Sequence, residues 1–227
     1  MYEPVRNLLT TQGFIVRGEV KGCDIAAIQG ETLWIVEMKL SANITLIYQA
    51  MERQTATNHV FIAIPRPRKA TDANFRALQK LLKKLDLGLI TVALDSPVKH
   101  AEIIIFPAAT RVKKETKKSA AIKKEILGRT TDTIGGTSKT AINTAYRERC
   151  VKIACLLEAK GPLSAKILVQ QGCEKDAYSI LRSNYSGWFA KVSKGIYGLT
   201  DAGCNYLNEN SATPLVAYYR MKALDIV

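Results

Sequence analysis

Residues 23–40 read CDIAAIQGETLWIVEMKL, and the fold turns on how this stretch is paired with itself. Gly30-Glu31 suits a two-residue type II′ turn with glycine in its first position. If Gln29 then faces Thr32, paired residue numbers sum to 61, which sets Asp24 opposite Glu37 and Gly22 opposite Lys39. Strand side chains alternate, so Glu37 and Lys39 share a face with Asp24 while Trp34, Val36 and Met38 occupy the other. Two carboxylates and one ammonium are thereby expected on one patch of otherwise apolar strands. Opposed carboxylates repel, and desolvation makes the repulsion worse. A divalent cation would relieve it.

Outward from this hairpin, Val5, Leu8 and Leu9 fall at helical spacing over 4–11, and Gly13 ends that helix. GFIVRGEV (13–20) adds a strand, giving an antiparallel meander over 13–40. Asn43 can cap a helix reaching about Gln54. VFIAIP (60–65) is a continuous apolar run suited to burial on both faces. A helix over 73–85 and strands over 87–94 and 102–106 complete the order α-β-β-β-α-β-α-β-β. The expected fold class is α/β, a mixed sheet flanked by helices over residues 1–110.

The chain has 227 residues and a net charge of +13, from 33 Lys and Arg against 20 Asp and Glu. Residues 1–110 carry 13 positive and 10 negative side chains, whereas the short run 111–129 carries 8 and 2. That asymmetry points to a polyanionic partner, most simply nucleic acid, because neutralised phosphates release counterions. A solvated lysine-rich helix face kept for solubility is the plainer alternative. The segment VKKETKKSAAIKKEIL reads as a basic helical linker over 111–138, with Lys113, Lys114, Lys117 and Lys118 as candidate phosphate contacts.

Beyond Gly135-Gly136 the pattern changes to helices at about 139–159, 164–171 and 174–184. A hairpin over 188–199 and a helix from Asp201 follow. Three helices and a hairpin are the order of a winged helix-turn-helix, expected over 139–227. Its recognition helix would span about Lys175–Asn184, with Ala177, Ile180 and Leu181 inward and Lys175, Ser179, Arg182 and Ser183 outward; Lys191 and Lys194 would flank the wing. Winged helices also serve as protein-protein modules.

The start of the chain lacks the basic-then-apolar pattern of a signal peptide, and no apolar run approaches membrane-spanning length, so a cytoplasmic protein without membrane contact is expected. The five cysteines form no C-x-x-C pair and are expected reduced and mostly packed. His59 and His100 each precede a strand and read as edge or loop residues. Gly195-Ile196-Tyr197 reads as a strand after a turn.

GCDIAAI followed by LWIVEMK, after an opening helix containing Glu3, resembles the PD-(D/E)XK phosphodiesterase core shared by restriction endonucleases and Holliday-junction resolvases. The arrangement across all 227 residues is similar to an uncharacterised bacterial family of PD-(D/E)XK-type phosphodiesterases. The resemblance implies a restriction-endonuclease-like fold, with Asp24 and Glu37 as ligands of Mg²⁺ or Mn²⁺ and Lys39 as the catalytic lysine. It implies weaker roles for Glu3 in the metal site and Gln49 in substrate contact. Glu3 also suits a helix N-terminus on its own account. Cys23 stands where the family pattern has proline. The function expected is a metal-dependent nuclease acting on DNA, possible as a homodimer; the competing expectation is a non-catalytic DNA-binding regulator on the same scaffold.

Overall fold

The computed structural model describes residues 1–69, 72–108, 116–130, 132 and 144–225. The chain divides into two units, Met1–Ile142 and Asn143–Val227. In the first, the order is α1 (Tyr2–Thr11), β1 (Ile15–Val20), β2 (Cys23–Gln29), β3 (Thr32–Met38), α2 (Ile44–Arg53), β4 (His59–Pro65), α3 (Ala73–Lys84), β5 (Gly88–Ala93), β6 (His100–Ile105) and α4 (Lys117–Leu127). The six strands lie side by side in chain order. β1 to β3 are antiparallel, β3 to β5 parallel, and β6 returns antiparallel to β5. This is the expected mixed α/β sheet.

The β2–β3 register runs from Gln29↔Thr32 to Ile25↔Val36, the sum-61 pairing expected from the turn. Gly30 takes a φ of 55°, a left-handed conformation that glycine adopts at least cost. The two sheet faces bury different helices. On one, Tyr2, Val5 and Leu9 of α1 pack with Ile25, Ala27, Val36, Phe61, Ile90 and Val92. On the other, Leu46, Ile47 and Ala50 of α2 meet Val60, Ile62 and Ile64, joined by Leu82 of α3 and by Leu89. Farther along that second face, Ile122 and Ile126 of α4 pack with Ala26, Ile28, Leu33 and Ile35.

The described part of the basic segment packs on the sheet of the first unit. Helix formation begins at Lys117, where Thr116 accepts from the Ser119 amide, and α4 lies on β1 and β2 as part of the first unit. Burial of two isoleucines at i, i+4 gives it a sheet-facing stripe beneath its lysines. Arg129 is buried and donates to the carbonyls of Gly18 and Glu19, so one charge of the run is structural. Lys113, Lys114 and the Gly135-Gly136 turn lie outside the described residues.

The second unit comprises α5 (Ala145–Lys160), β7 (Leu163–Ser164), α6 (Ala165–Gln170), α7 (Ala177–Ser183), β8 (Phe189–Ser193), β9 (Ile196–Leu199), α8 (Asp201–Glu209) and α9 (Pro214–Asp225). β9 lies between β7 and β8 in a small antiparallel sheet. Val151, Ile153 and Leu157 of α5 share a core with Leu168, Ile180, Leu181, Trp188, Phe189 and Leu207. Two elements go beyond the sequence reading. β7 is only two residues long, too short to show a period. α9, signalled by Thr213-Pro214, packs on α5, with the Tyr219 hydroxyl donating to Glu148 at 3.1 Å. Cys23, Cys150, Cys155 and Cys173 are buried thiols and Cys204 is exposed, all unbridged. Among the described residues, no helix is long and apolar enough to cross a membrane.

Candidate functional site

Asp24 and Glu37 stand one step beyond the last registered β2–β3 pair. Here the meander is irregular: Glu19, Lys21 and Gly22 take φ values of 50°, 52° and 78°. Val20 and Cys23 consequently join the α4 side of the sheet, whereas Val16 and Ile25 face α1. Asp24 does not complete a simple cross-strand pair. Its Oδ2 accepts the Met38 amide at 2.7 Å, taking over a backbone donor where the ladder ends. The Asp24 backbone lies near enough to the Glu37 carboxyl to favour its charged form, so the two acids stand side by side.

Glu37, 1% exposed, is the more deeply placed. Its Oε1 accepts Nε of Arg53 at 2.6 Å, and the same guanidinium donates through Nη2 to the Gly22 carbonyl. Arg53 ends α2 and is turned onto the sheet because Leu46, Ala50 and Arg53 fall at i, i+4 and i+7, the buried stripe of the helix. That arginine was legible as an ionic side chain on an apolar stripe, yet sequence reasoning passed over it. It supplies part of the positive charge that a divalent cation was invoked to provide.

Burial nevertheless dominates the electrostatics. It pushes the Glu37 carboxyl up to about 7, against the opposing pull of Arg53 and with a further push from Asp24. Burial also raises Asp24, opposed by the Met38 amide, Arg53 and Lys39. Beside them, burial pushes the Cys23 thiol up to about 12, so it is a packed thiol and not a nucleophile. Lys39 continues the β3–β4 ladder, its amide donating to Ala63 at 3.1 Å, while its half-buried side chain lies near enough to Asp24 to favour the carboxylate.

The other sequence candidates divide. Gln49 is half-buried one helical turn before Arg53, on the same side of α2. Glu3 is not brought to the pair: α1 packs on the opposite face of the sheet, and Glu3 is exposed, 3.9 Å from Arg6. Lys118 is brought closer than the sequence suggested, since its ammonium donates to Thr55 just past α2 and acts on Cys23. Lys117 is exposed beside it. In the second unit, Lys175, Ser179, Arg182 and Ser183 are exposed around α7, and Lys191 and Lys194 are exposed at the β8–β9 hairpin.

The donor set suits a hard divalent cation. Met38 meets one oxygen of Asp24 and Arg53 one oxygen of Glu37, and Mg²⁺ usually takes one or two carboxylates, completing its shell with water and phosphate. Among the described residues, no cluster of three or more His, Cys, Asp or Glu side chains assembles a closed metal cage. The raised carboxyls have the sign expected of acids short of positive charge.

A mixed sheet flanked by helices, with paired acids and a lysine where its strands end, is consistent with a restriction-endonuclease-like core. The family model described as "Putative PD-(D/E)XK phosphodiesterase (DUF2161)" matches residues 90–206, just over half of the chain, and the chain belongs to that family. The matched stretch starts within β5 and ends within α8, so it is narrower than the whole-chain similarity expected from the sequence, and Asp24, Glu37 and Lys39 precede it. No curated protein and no solved structure matches the chain.

Proposed function

We propose that this protein hydrolyses phosphodiester bonds in DNA with Mg²⁺ or Mn²⁺, using Asp24 and Glu37 to hold the cation and Lys39 at the reacting phosphate. The observation that carries this reading is the side-by-side placement of two acids, both raised by burial, with a lysine within electrostatic reach. When bound, such a cation polarises a phosphoryl oxygen and acidifies a water molecule. Met38 fixes Asp24 through its amide, and Arg53 fixes Glu37 through its guanidinium, so neither acid is free to swing away. Lys39 would stabilise the nucleophile or the charge developing on phosphorus. Gln49 is a substrate-contact candidate on the same side of α2 as Arg53.

The second unit fits a winged helix-turn-helix that recruits DNA. α5, α6 and α7 precede the β8–β9 hairpin, and the exposed Lys175, Arg182, Lys191 and Lys194 are available to phosphates. Lys117 and Lys118 of α4 would add phosphate contacts on the side of the sheet that carries Glu37. A homodimer would supply two sites for two strands.

Cleavage of labelled duplex, single-stranded and branched DNA with Mg²⁺ or Mn²⁺ tests this, comparing wild type, Lys39→Ala and an EDTA control. Metal-dependent cutting lost in the variant supports the site; a folded protein that binds DNA and never cuts it defeats the proposal. A second reading, a non-catalytic DNA-binding regulator, is favoured by the burial of Glu37 against Arg53. It requires that Glu37→Ala leave DNA binding unchanged and that no metal elicit turnover.

A further inference from the structure

The residue after Lys39 begins an apolar surface that the site chemistry does not use. Leu40 is 77% exposed, Ile44 78%, Tyr48 63% and Met51 43%. Ile44, Tyr48 and Met51 fall at i, i+4 and i+7, so they form one ridge along the solvent side of α2, opposite the stripe that turns Arg53 onto the sheet. Single exposed apolar residues are ordinary, but a contiguous ridge of large ones marks a surface that meets something. Ile44 also lines a neighbouring cavity of about 440 Å³, where Ile47, Pro67, Phe75 and Leu78 supply apolar wall and Asp72 and Asn74 a polar edge.

Charge selects the occupant. Between Lys39 and Met51 the one charged side chain is Lys39 itself; of the two acids nearby, Glu52 follows the ridge and Asp72 lines the cavity with Oδ1 turned to the Asn74 and Phe75 amides as the cap of α3. The chain as a whole is at +13, which favours a polyanion. A duplex presents phosphates and groove edges and keeps its base faces stacked inside. An apolar ridge with an outward tyrosine matches the faces of unstacked bases, which pack on aromatic side chains with little regard to sequence. Ala42, at the mouth of the cavity, is three residues from Lys39, so the two Cα atoms are at most about 11 Å apart. A nucleotide next to a phosphate held at Lys39 would therefore be within reach of the ridge.

We infer that the Leu40–Ile44–Tyr48–Met51 ridge and its adjoining cavity bind the unpaired bases of a nucleic acid strand, making single-stranded or locally unpaired nucleic acid the preferred substrate class. The inference rests on the phosphodiesterase reading for the role of Lys39, but not for the existence of the surface. Tyr48 stacks against a base, Leu40 and Ile44 cover its flank, and the cavity beside Phe75 takes a neighbouring base.

The test is fluorescence anisotropy with the full chain in EDTA, titrated onto a labelled oligothymidylate and onto a hairpin duplex of equal charge at one salt concentration. Wild type is expected to prefer the single strand. Tyr48→Ala is expected to weaken single-strand binding roughly 5- to 100-fold with under about twofold change on the duplex, and Tyr48→Phe to keep wild-type affinity, because the ring and not the hydroxyl does the stacking. The exposed position makes misfolding of these variants easy to exclude by circular dichroism. Equal binding of the single strand by wild type and Tyr48→Ala, equal losses on both ligands, or a wild-type dimer that Tyr48→Ala splits in light scattering overturns the inference, the last by giving the ridge to a second copy. Absence of metal separates this outcome from turnover. Selective loss of single-strand binding with no cutting by wild type keeps the ridge and removes the phosphodiesterase, whereas cutting by wild type with binding insensitive to Tyr48 does the reverse.

Discussion

Removing Arg53 isolates the electrostatics of the carboxylate pair. The gap between the ordinary Glu carboxyl at 4.5 and about 7 for Glu37 corresponds to about 3 kcal/mol of disfavoured charge in the folded state. The sign follows from proton binding. Below pH 4.5 Glu37 is protonated folded or unfolded and imposes no cost; as pH rises through about 7, the folded state must give up a proton it holds more tightly than the unfolded chain, and stability falls. Arg53→Met removes the guanidinium that opposes this, so the acid is left buried and unpaired. At pH 8 the variant should lose about 3 to 5 kcal/mol, the usual cost of breaking a buried pair from one side. At pH 4.5 the neutral carboxyl no longer needs a counter-ion, only the guanidinium's hydrogen bonds to Glu37 and Gly22 are forfeited, and the loss should shrink to about 1.5 to 3 kcal/mol. Urea unfolding at the two pH values, followed through Trp34 in a Trp188→Phe background, reports on the first unit. A loss equal at both pH values, or below about 1 kcal/mol at pH 8, refutes the assignment of Arg53 as the counter-ion that makes a charged Glu37 tolerable.

Glu3→Ala should leave any metal-dependent cleavage within about twofold of wild type, because Glu3 is exposed on a helix across the sheet from Glu37; a large loss would place α1 in the site. Gly88→Ala should destabilise the first unit by about 1 to 3 kcal/mol, lowering its thermal midpoint by roughly 3 to 10 °C, since a methyl there runs into the fully buried ring of Phe61. Lys175→Ala combined with Arg182→Ala should reduce the slope of log affinity against log salt for DNA by about 1 to 2; an unchanged slope would remove α7 from the phosphate contacts.

Much of the fold was legible because its determinants are local. A glycine turn and strict strand alternation set the β2–β3 register through Ile25 and Val36. Continuous apolar runs identified β4 and β5 as interior strands, and Asn43 caps α2 through its side chain as expected. Asp24, Glu37 and Lys39 could be proposed as neighbours from that register alone. It could not foresee that Asp24 would close the ladder on the Met38 amide, since this depends on the left-handed residues at the β1–β2 turn. Nor could it decide that Glu3 belongs across the sheet, because the face a helix covers follows from its crossover and not from its own periodicity. Arg53 is the clearest case. Helical spacing places it on a buried stripe, but only the packing of α2 on β3 and β4 names Glu37 as its partner. The sequence by itself determined the strands of the first unit, the pairing of β2 with β3 and the acids they carry, because those depend on alternation and turn geometry. Tertiary structure decided which charges meet, because ion pairs between elements distant in the chain are selected by how helices dock on a sheet.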